Sequence, residues 1–179
     1  MGRKKNKKRR QPNPQQSFST SMDVDAKLQQ AISLYQAGQL QQAEQICQQI
    51  LKDFPRHANA LHLLGIIAYQ VEEYKIATDL ISRAVGIDSD QSSFFINLGN
   101  VLQEQGRLGE SIDAYQQAIR IQPDYADAYS NLGNVLQEQG RLGESIDAYQ
   151  QAIHIQPDHA DAYSNLGVAL KEQGRLEES

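Results

Sequence analysis

The chain has no tryptophan and a single cysteine in 179 residues, and each scarcity removes a class of explanation. The lone Cys47 excludes an intramolecular disulfide framework and any zinc site built on paired thiolates, so a reducing compartment, the cytoplasm, is expected. Long hydrophobic runs are missing too. The longest apolar stretch, around Leu61 to Tyr69, is broken by His62 and falls far short of the ~20 residues that cross a bilayer. The basic start runs into Gln11, Pro12, Asn13 and Pro14 rather than an apolar segment, which argues against a secretory signal. Gly2 does not begin a myristoylation motif, because Asn6 stands where Ser or Thr is needed. There is no phosphate-cradling glycine loop with Lys, no nucleophile elbow, no paired-His zinc motif and no dinucleotide fingerprint. No catalytic residue, metal ligand or cofactor is therefore expected in these residues.

The composition that remains, 40% apolar and 22% charged, is that of a polar globular chain. Its net charge of −5 conceals an asymmetry. Arg3, Lys4, Lys5, Lys7, Lys8, Arg9 and Arg10 supply seven of the 17 bases, leaving ten bases against 22 acids in the rest. Like charges packed this densely repel one another and cannot be buried, so residues 1–22, continuing through the Gln-, Pro- and Ser-rich segment, are expected to be a disordered basic tail. Such a tail can solvate the protein, contact RNA or an anionic surface without sequence preference, or fold back on the acidic body. No aromatic residue is interleaved to stack bases, which argues against sequence-specific nucleic-acid binding.

A repeat of 34 residues governs the remainder. Asn97 to Asp124 recurs as Asn131 to Asp158 with one difference, Arg120 against His154, and Ala126 to Gly133 recurs as Ala160 to Gly167. Extending the frame backwards gives weaker units, so the expected organisation is 24–57, 58–91, 92–125, 126–159 and a partial unit at 160–179. Within the fourth unit, Tyr129, Leu132 and Leu136 and then Ile146, Tyr149 and Ile153 recur every three or four residues, the signature of two amphipathic helices. Gly140 lies between them, where the reversal needs positive φ, and Pro157 follows the second. Asp158 is expected to cap the next helix, with Asp161 in its first turn. Gly133, Ser145 and Ala152 are small residues that let the two helices approach closely. One hairpin cannot cover its own apolar face, so the units must stack into an all-α solenoid.

The fourth unit's Tyr129, Leu132, Gly133, Leu136, Ser145, Tyr149 and Pro157 fall on the tetratricopeptide pattern, and Phe95, Leu98, Gly99, Leu102, Ser111, Tyr115 and Pro123 repeat it in the third. The chain from residue 24 onward thus resembles the tetratricopeptide repeat (TPR) family. The second unit keeps Leu61, Leu64, Gly65, Ala77 and Ala84 but has Ser89 for the proline and Glu72 for the turn glycine. The first is the most divergent, with Lys27 and Gln30 at two core places. The fifth unit reaches only the start of its second helix, leaving Leu166 and Leu170 without cover. The expectation is an N-terminal portion of something longer, the rival being a partner chain that supplies the helix.

Two histidine pairs, His57 with His62 and His154 with His159, are spaced off a common helical face, and solvated loop residues are expected rather than metal ligands. Cys47 sits in a core column and is expected to be a buried thiol. The asparagines are the candidates for function. Asn97, Asn131 and Asn165 recur on the first helix of successive units, with Asn100 and Asn134 one turn further on. The resemblance implies that first helices line the concave side of a superhelix, where these amides would form a ladder able to pair with a peptide backbone. The other reading is that they are helix-packing residues copied with the rest of the repeat. Asp127, Asp161, Glu104, Glu138 and Glu172 would make the same groove acidic, so the expected partner is a neutral-to-basic extended peptide, with no small-molecule substrate. Leu28, His62, Ile96, Ser130 and Ser164 occupy the column where family members that clamp acidic tails present bases, so that mode is not expected. The repeats resemble most those of protein O-GlcNAc transferases and their bacterial relatives. That likeness implies an alternative role as the substrate-recognition arm of a longer glycosyltransferase.

Overall fold

The computed structural model describes the backbone of residues 14–177 and the side chains of residues 23–174. Residues 1–13, which hold the basic run, lie outside the described residues. Nine helices are described: α1 (Pro14–Gln36), α2 (Leu40–Asp53), α3 (Ala58–Gln70), α4 (Tyr74–Ile87), α5 (Ser92–Glu104), α6 (Leu108–Ile121), α7 (Ala126–Glu138), α8 (Leu142–Ile155) and α9 (Ala160–Glu177). α1 begins inside the stretch expected to form the tail. Each helix packs on the next, and α1, α3, α5, α7 and α9 also touch in succession. The product is an α-solenoid whose core runs its length, from Val24 and Leu28 through Leu61, Ile81 and Val101 to Val135 and Ala169.

The turn within each hairpin is fixed by backbone chemistry. Gly140 at φ +75° and Gly106 at +68° take the left-handed conformation that ends a helix. The Gly140 N–H donates to the Gln137 carbonyl at 2.8 Å and the Arg141 N–H to that of Leu136 at 2.9 Å, which satisfies two carbonyls that the helix leaves free. The second hairpin makes the same two bonds from Glu72 and Glu73, although Glu72 is a non-glycine residue at φ +63°. That conformation costs an L-residue roughly 1–2 kcal/mol. Glu72→Gly is therefore expected to raise the stability of this hairpin by about 1 kcal/mol, read as a higher urea midpoint, whereas Glu72→Ala should give no gain.

In the second, third and fourth hairpins a glycine of the first helix lies against the second. The Cβ that Gly133 lacks would sit 2.5 Å from the Tyr149 ring, and that of Gly99 2.7 Å from the Tyr115 ring. The Ser145 hydroxyl donates to the Gly133 carbonyl at 2.8 Å, and Ser111 does the same to Gly99. These serines are fully buried, so they bond the helix pair together as well as leaving room.

Three expectations need correction. Lys27 and Gln30 do not reach the core: Gln30 is exposed and Lys27 half-buried, while Val24, Leu28 and Ala31 carry that side of α1 inward. α9 does not turn at Gly174 but runs through it to Glu177, since among the described residues no following helix packs on α9 to offset the backbone bonds that a turn would break. Finally, the cap of α9 is not Asp158. The Ala162 N–H donates to Nδ1 of His159 at 3.4 Å, and His57 caps α3 in the same way through the Ala60 N–H at 3.2 Å.

Candidate functional site

The first helices bring the asparagines to one face. A cleft of about 400 Å³ is lined by Ile96 of α5, Tyr125, Asp127, Ser130, Asn131 and Asn134 at α7, and His159, Asp161, Ser164 and Asn165 at α9. A neighbouring cleft of about 360 Å³ continues past Asn134 and Asn165 to Glu138, Val168 and Glu172. Seven of the candidate residues thus share one surface, with Asn134 and Asn165 at its middle. Asn97 and Asn100 lie one repeat earlier on α5. Glu104 is exposed at the end of that helix, where its charge, second to burial, raises the Tyr69 phenol. Glu104 does not line either cleft.

The amides do not simply hang in solvent. Asn134 Oδ1 accepts from the Tyr149 hydroxyl at 2.8 Å and from Nδ2 of Asn165, one repeat later, at 2.9 Å. The preceding repeat makes the same arrangement: Asn100 Oδ1 accepts from the Tyr115 hydroxyl at 2.6 Å and from Asn131 Nδ2 at 3.5 Å. Burial raises both phenols above their usual range, so each keeps its proton. In the third and fourth repeats one asparagine oxygen is thus used to stitch neighbouring units, as the packing reading expects, while Asn131, Asn134 and Asn165 also line the cleft.

The pattern has two ends. Asn97 has no asparagine one repeat back, because Ile66 stands at that place, and its Nδ2 pairs with His62 Nε2 at 2.9 Å instead. At the other end Val168 stands where Asn134 stands one repeat earlier, and it is 48% exposed. Glu138 and Glu172 are also tethered across repeats, accepting from Gln103 Nε2 at 3.1 Å and Gln137 Nε2 at 2.8 Å.

Two histidines depart from the solvated-loop expectation. His159 is buried, with 9% of its surface accessible. Its Nδ1 accepts from the α9 backbone, which places the proton on Nε2, and Nε2 donates to Asp127 Oδ1 at 3.1 Å. This fixes one oxygen of Asp127 and leaves the other toward the cleft. His62 stacks on Phe94 with ring centroids 4.2 Å apart, and burial lowers its pKa to about 4. Spacing could not reveal either histidine's role, because both partners lie on other helices. The signal for the Tyr115 and Tyr149 hydroxyls was present, since each lies 15 residues after its asparagine, but a tyrosine in a core column reads as apolar filler. Cys47 is buried as expected, and burial, with the Glu44 charge second, pushes its thiol up to about 11. Among the described residues no group of three or more metal-ligating side chains occurs, and no helix is long and apolar enough to cross a membrane.

Stacked helical hairpins, each packing on the next, define the class of helical repeat proteins. Residues 99–140 and 136–174 match the family described as TPR repeat, and residues 28–92 match that described as Tetratricopeptide repeat. The chain belongs to the tetratricopeptide repeat family. Among solved structures it is similar to MamA protein, at 26% identity and a TM-score of 0.77 over 87% of this chain and 85% of that one. It is also similar to a Thermobaculum terrenum O-GlcNAc transferase mutant, at 28% identity and a TM-score of 0.72 over 75% of this chain and 26% of the other. YrrB, described as a TPR protein with an unusual peptide-binding site, shares the fold at 22% identity and a TM-score of 0.72, over 88% of this chain and 84% of that one.

Proposed function

We propose that the chain is a protein-interaction scaffold that holds an extended, neutral-to-basic peptide along the groove formed by α5, α7 and α9, with no catalysis in the residues described. The observation that carries this reading is the convergence of Asn131, Asn134 and Asn165 with Asp127 and Asp161 around one cleft. An amide offers both a donor and an acceptor, so it pairs with peptide groups whatever their side chains. The two carboxylates, one repeat apart, favour a cationic side chain or a neutral segment over an acidic one. The buried, protonated thiol suits a cytoplasmic setting.

The test is a titration of a fluorescent decapeptide of alternating serine and lysine, followed by anisotropy. The combined Asn97→Ala, Asn131→Ala, Asn165→Ala variant is expected to keep its helical spectrum and to bind at least tenfold more weakly. Undiminished affinity in the folded variant would end the groove reading. Binding should also weaken with added salt, and Asp127→Asn, Asp161→Asn should reduce that salt dependence.

A second reading is the substrate-recognition arm of a longer glycosyltransferase. It is favoured by the likeness to the Thermobaculum terrenum enzyme, of which this chain spans about a quarter. A nucleotide-sugar-binding region in the same open reading frame would support the arm, and further repeats would support a free scaffold. Contact of residues 1–10 with RNA or an anionic surface is a separate proposal. Their deletion should lower retention on an RNA column at moderate salt, and unchanged retention would dismiss it.

A further inference from the structure

We infer that Tyr115 and Tyr149 are positioning residues for peptide recognition: their hydroxyls turn the Asn100 and Asn134 amides so that both present nitrogen, not oxygen, to the groove. The inference rests on the groove reading above and adds to it which atoms do the recognising and who holds them. The Tyr149 ring is fully buried between α7 and α8 and cannot swing. Its O–H donates to Asn134 Oδ1 at 2.8 Å, and Asn165 Nδ2 donates to that oxygen from the other side at 2.9 Å. A reversed amide would lose the bond from Asn165 Nδ2, and the Tyr149 hydroxyl, left to accept from Asn134, would have to send its one proton to Gln137 Oε1 at 3.1 Å instead of to Asn134 Oδ1 at 2.8 Å. Asn134 Nδ2 is the atom left for the cleft. Asn165 has given its own nitrogen to this contact, so its oxygen faces outward beside it.

The same chemistry recurs 34 residues earlier with Tyr115, Asn100 and Asn131. Two successive repeats therefore offer a fixed nitrogen donor from Asn100 or Asn134 next to an oxygen acceptor from Asn131 or Asn165, in one order along the groove. A peptide backbone carries N–H and C=O in a fixed order too, so a groove with locked amides distinguishes the two directions of a bound strand, whereas freely flipping amides do not. The locked array is confined to these two units. In the second repeat Ile66 and Ile81 stand at the Asn and Tyr places, and in the fifth Val168 replaces the Asn. The footprint of the bound segment is thereby set to the surface from α5 to α9.

The experiment is a double-mutant cycle with the serine–lysine decapeptide, at a temperature where circular dichroism shows every variant folded. Tyr149→Phe keeps the ring and removes only the hydroxyl. It is expected to weaken binding roughly tenfold, the scale of one lost hydrogen bond, and to cause no further loss once Asn134 is Ala. A merely structural role would weaken binding equally in both backgrounds, and that result, or no loss at all in Tyr149→Phe, overturns the positioning role. If Asn134→Ala binds as tightly as the parent, or the parent does not bind the probe, the groove reading fails instead. In that case the positioning role is read in the free protein from the side-chain NH2 resonances in nitrogen–proton spectra. Tyr149→Phe should then shift Asn134 and Asn165 while leaving Asn97, whose partner is His62, in place. Unshifted Asn134 signals would refute the locking.

Discussion

Gly133→Ala is expected to destabilise the fourth repeat by about 2–3 kcal/mol, the upper part of the range for overfilling a packed site, whereas Gly167→Ala is expected to be neutral or mildly stabilising. Both glycines occupy the same place in identical sequence, and on helix propensity alone both substitutions should help by up to about 1 kcal/mol. The difference is the neighbour. A Cβ on Gly133 would meet three atoms of the Tyr149 ring at 2.5, 2.7 and 2.9 Å, whereas one on Gly167 would meet nothing within 4 Å. Relief by moving the tyrosine is blocked, because its ring is fully buried and its hydroxyl is tied to Asn134. The remaining response is to push α8 away from α7, which also loosens the Ser145 bond to the Gly133 carbonyl. Since repeat arrays unfold unit by unit, amide exchange resolved by helix is the suitable measurement. Faster exchange is expected in α7 and α8 of Gly133→Ala, with α3 and α4 unaffected. Equal effects of the two substitutions would mean that the close approach is not what fixes the hairpin.

The second large effect is on pH. His62 has a pKa lowered by burial to about 4, below the value near 6.5 that it has when unfolded. Above pH 6.5 the ring is neutral in both states and its contribution is fully present. As pH falls from 6.5 toward 4, the unfolded chain takes up a proton that the folded chain refuses, so stability drops by up to about 3 kcal/mol. Below about 4 both states are protonated and the slope ends. Geometry gives a second reason for the refusal: Nε2 accepts from the Asn97 amide, and a proton there would face a donor unless Asn97 turned round. The measurement is the urea midpoint at pH 7, 5.5 and 4.5, with His62→Gln as the control. Acidic residues titrate in part of this window too, so the informative quantity is the difference between the two chains. His62→Gln should lose markedly less stability on acidification. Parallel curves would place the ring in solvent.

Much of this was legible before any coordinates. The 34-residue offset, the two apolar stripes per unit and the glycine at each reversal specify stacked helical hairpins, because period, amphipathicity and positive φ are local properties written in single residues. Glu72 at a glycine place already marked the strained turn. The candidate cleft was legible as columns, since residues 34 apart on equivalent helices must line up in a regular stack, and Asn131, Asn165, Asp127 and Asp161 do so.

The atomic state of those columns was not legible. A column says that amides share a face, but not which atom of each amide is spent on a neighbour. The bond from Tyr149 crosses a hairpin, that from Asn165 crosses a repeat boundary, and that from His159 to Asp127 joins the start of one helix to the start of another. Such contacts depend on the distance and angle between helices, which are set by how side chains interlock and not by the order of residues. Identical octapeptides ending at Gly133 and Gly167 likewise have unlike surroundings, because the Tyr149 ring packs on the first glycine and nothing lies within 4 Å of a Cβ on the second. Sequence alone determined the hairpins, their stacking and the face that carries the asparagines, because these follow from periodicity. Only the tertiary structure decided which polar atoms are consumed by contacts between helices and repeats, because a hydrogen bond between repeats exists only once the repeats are packed.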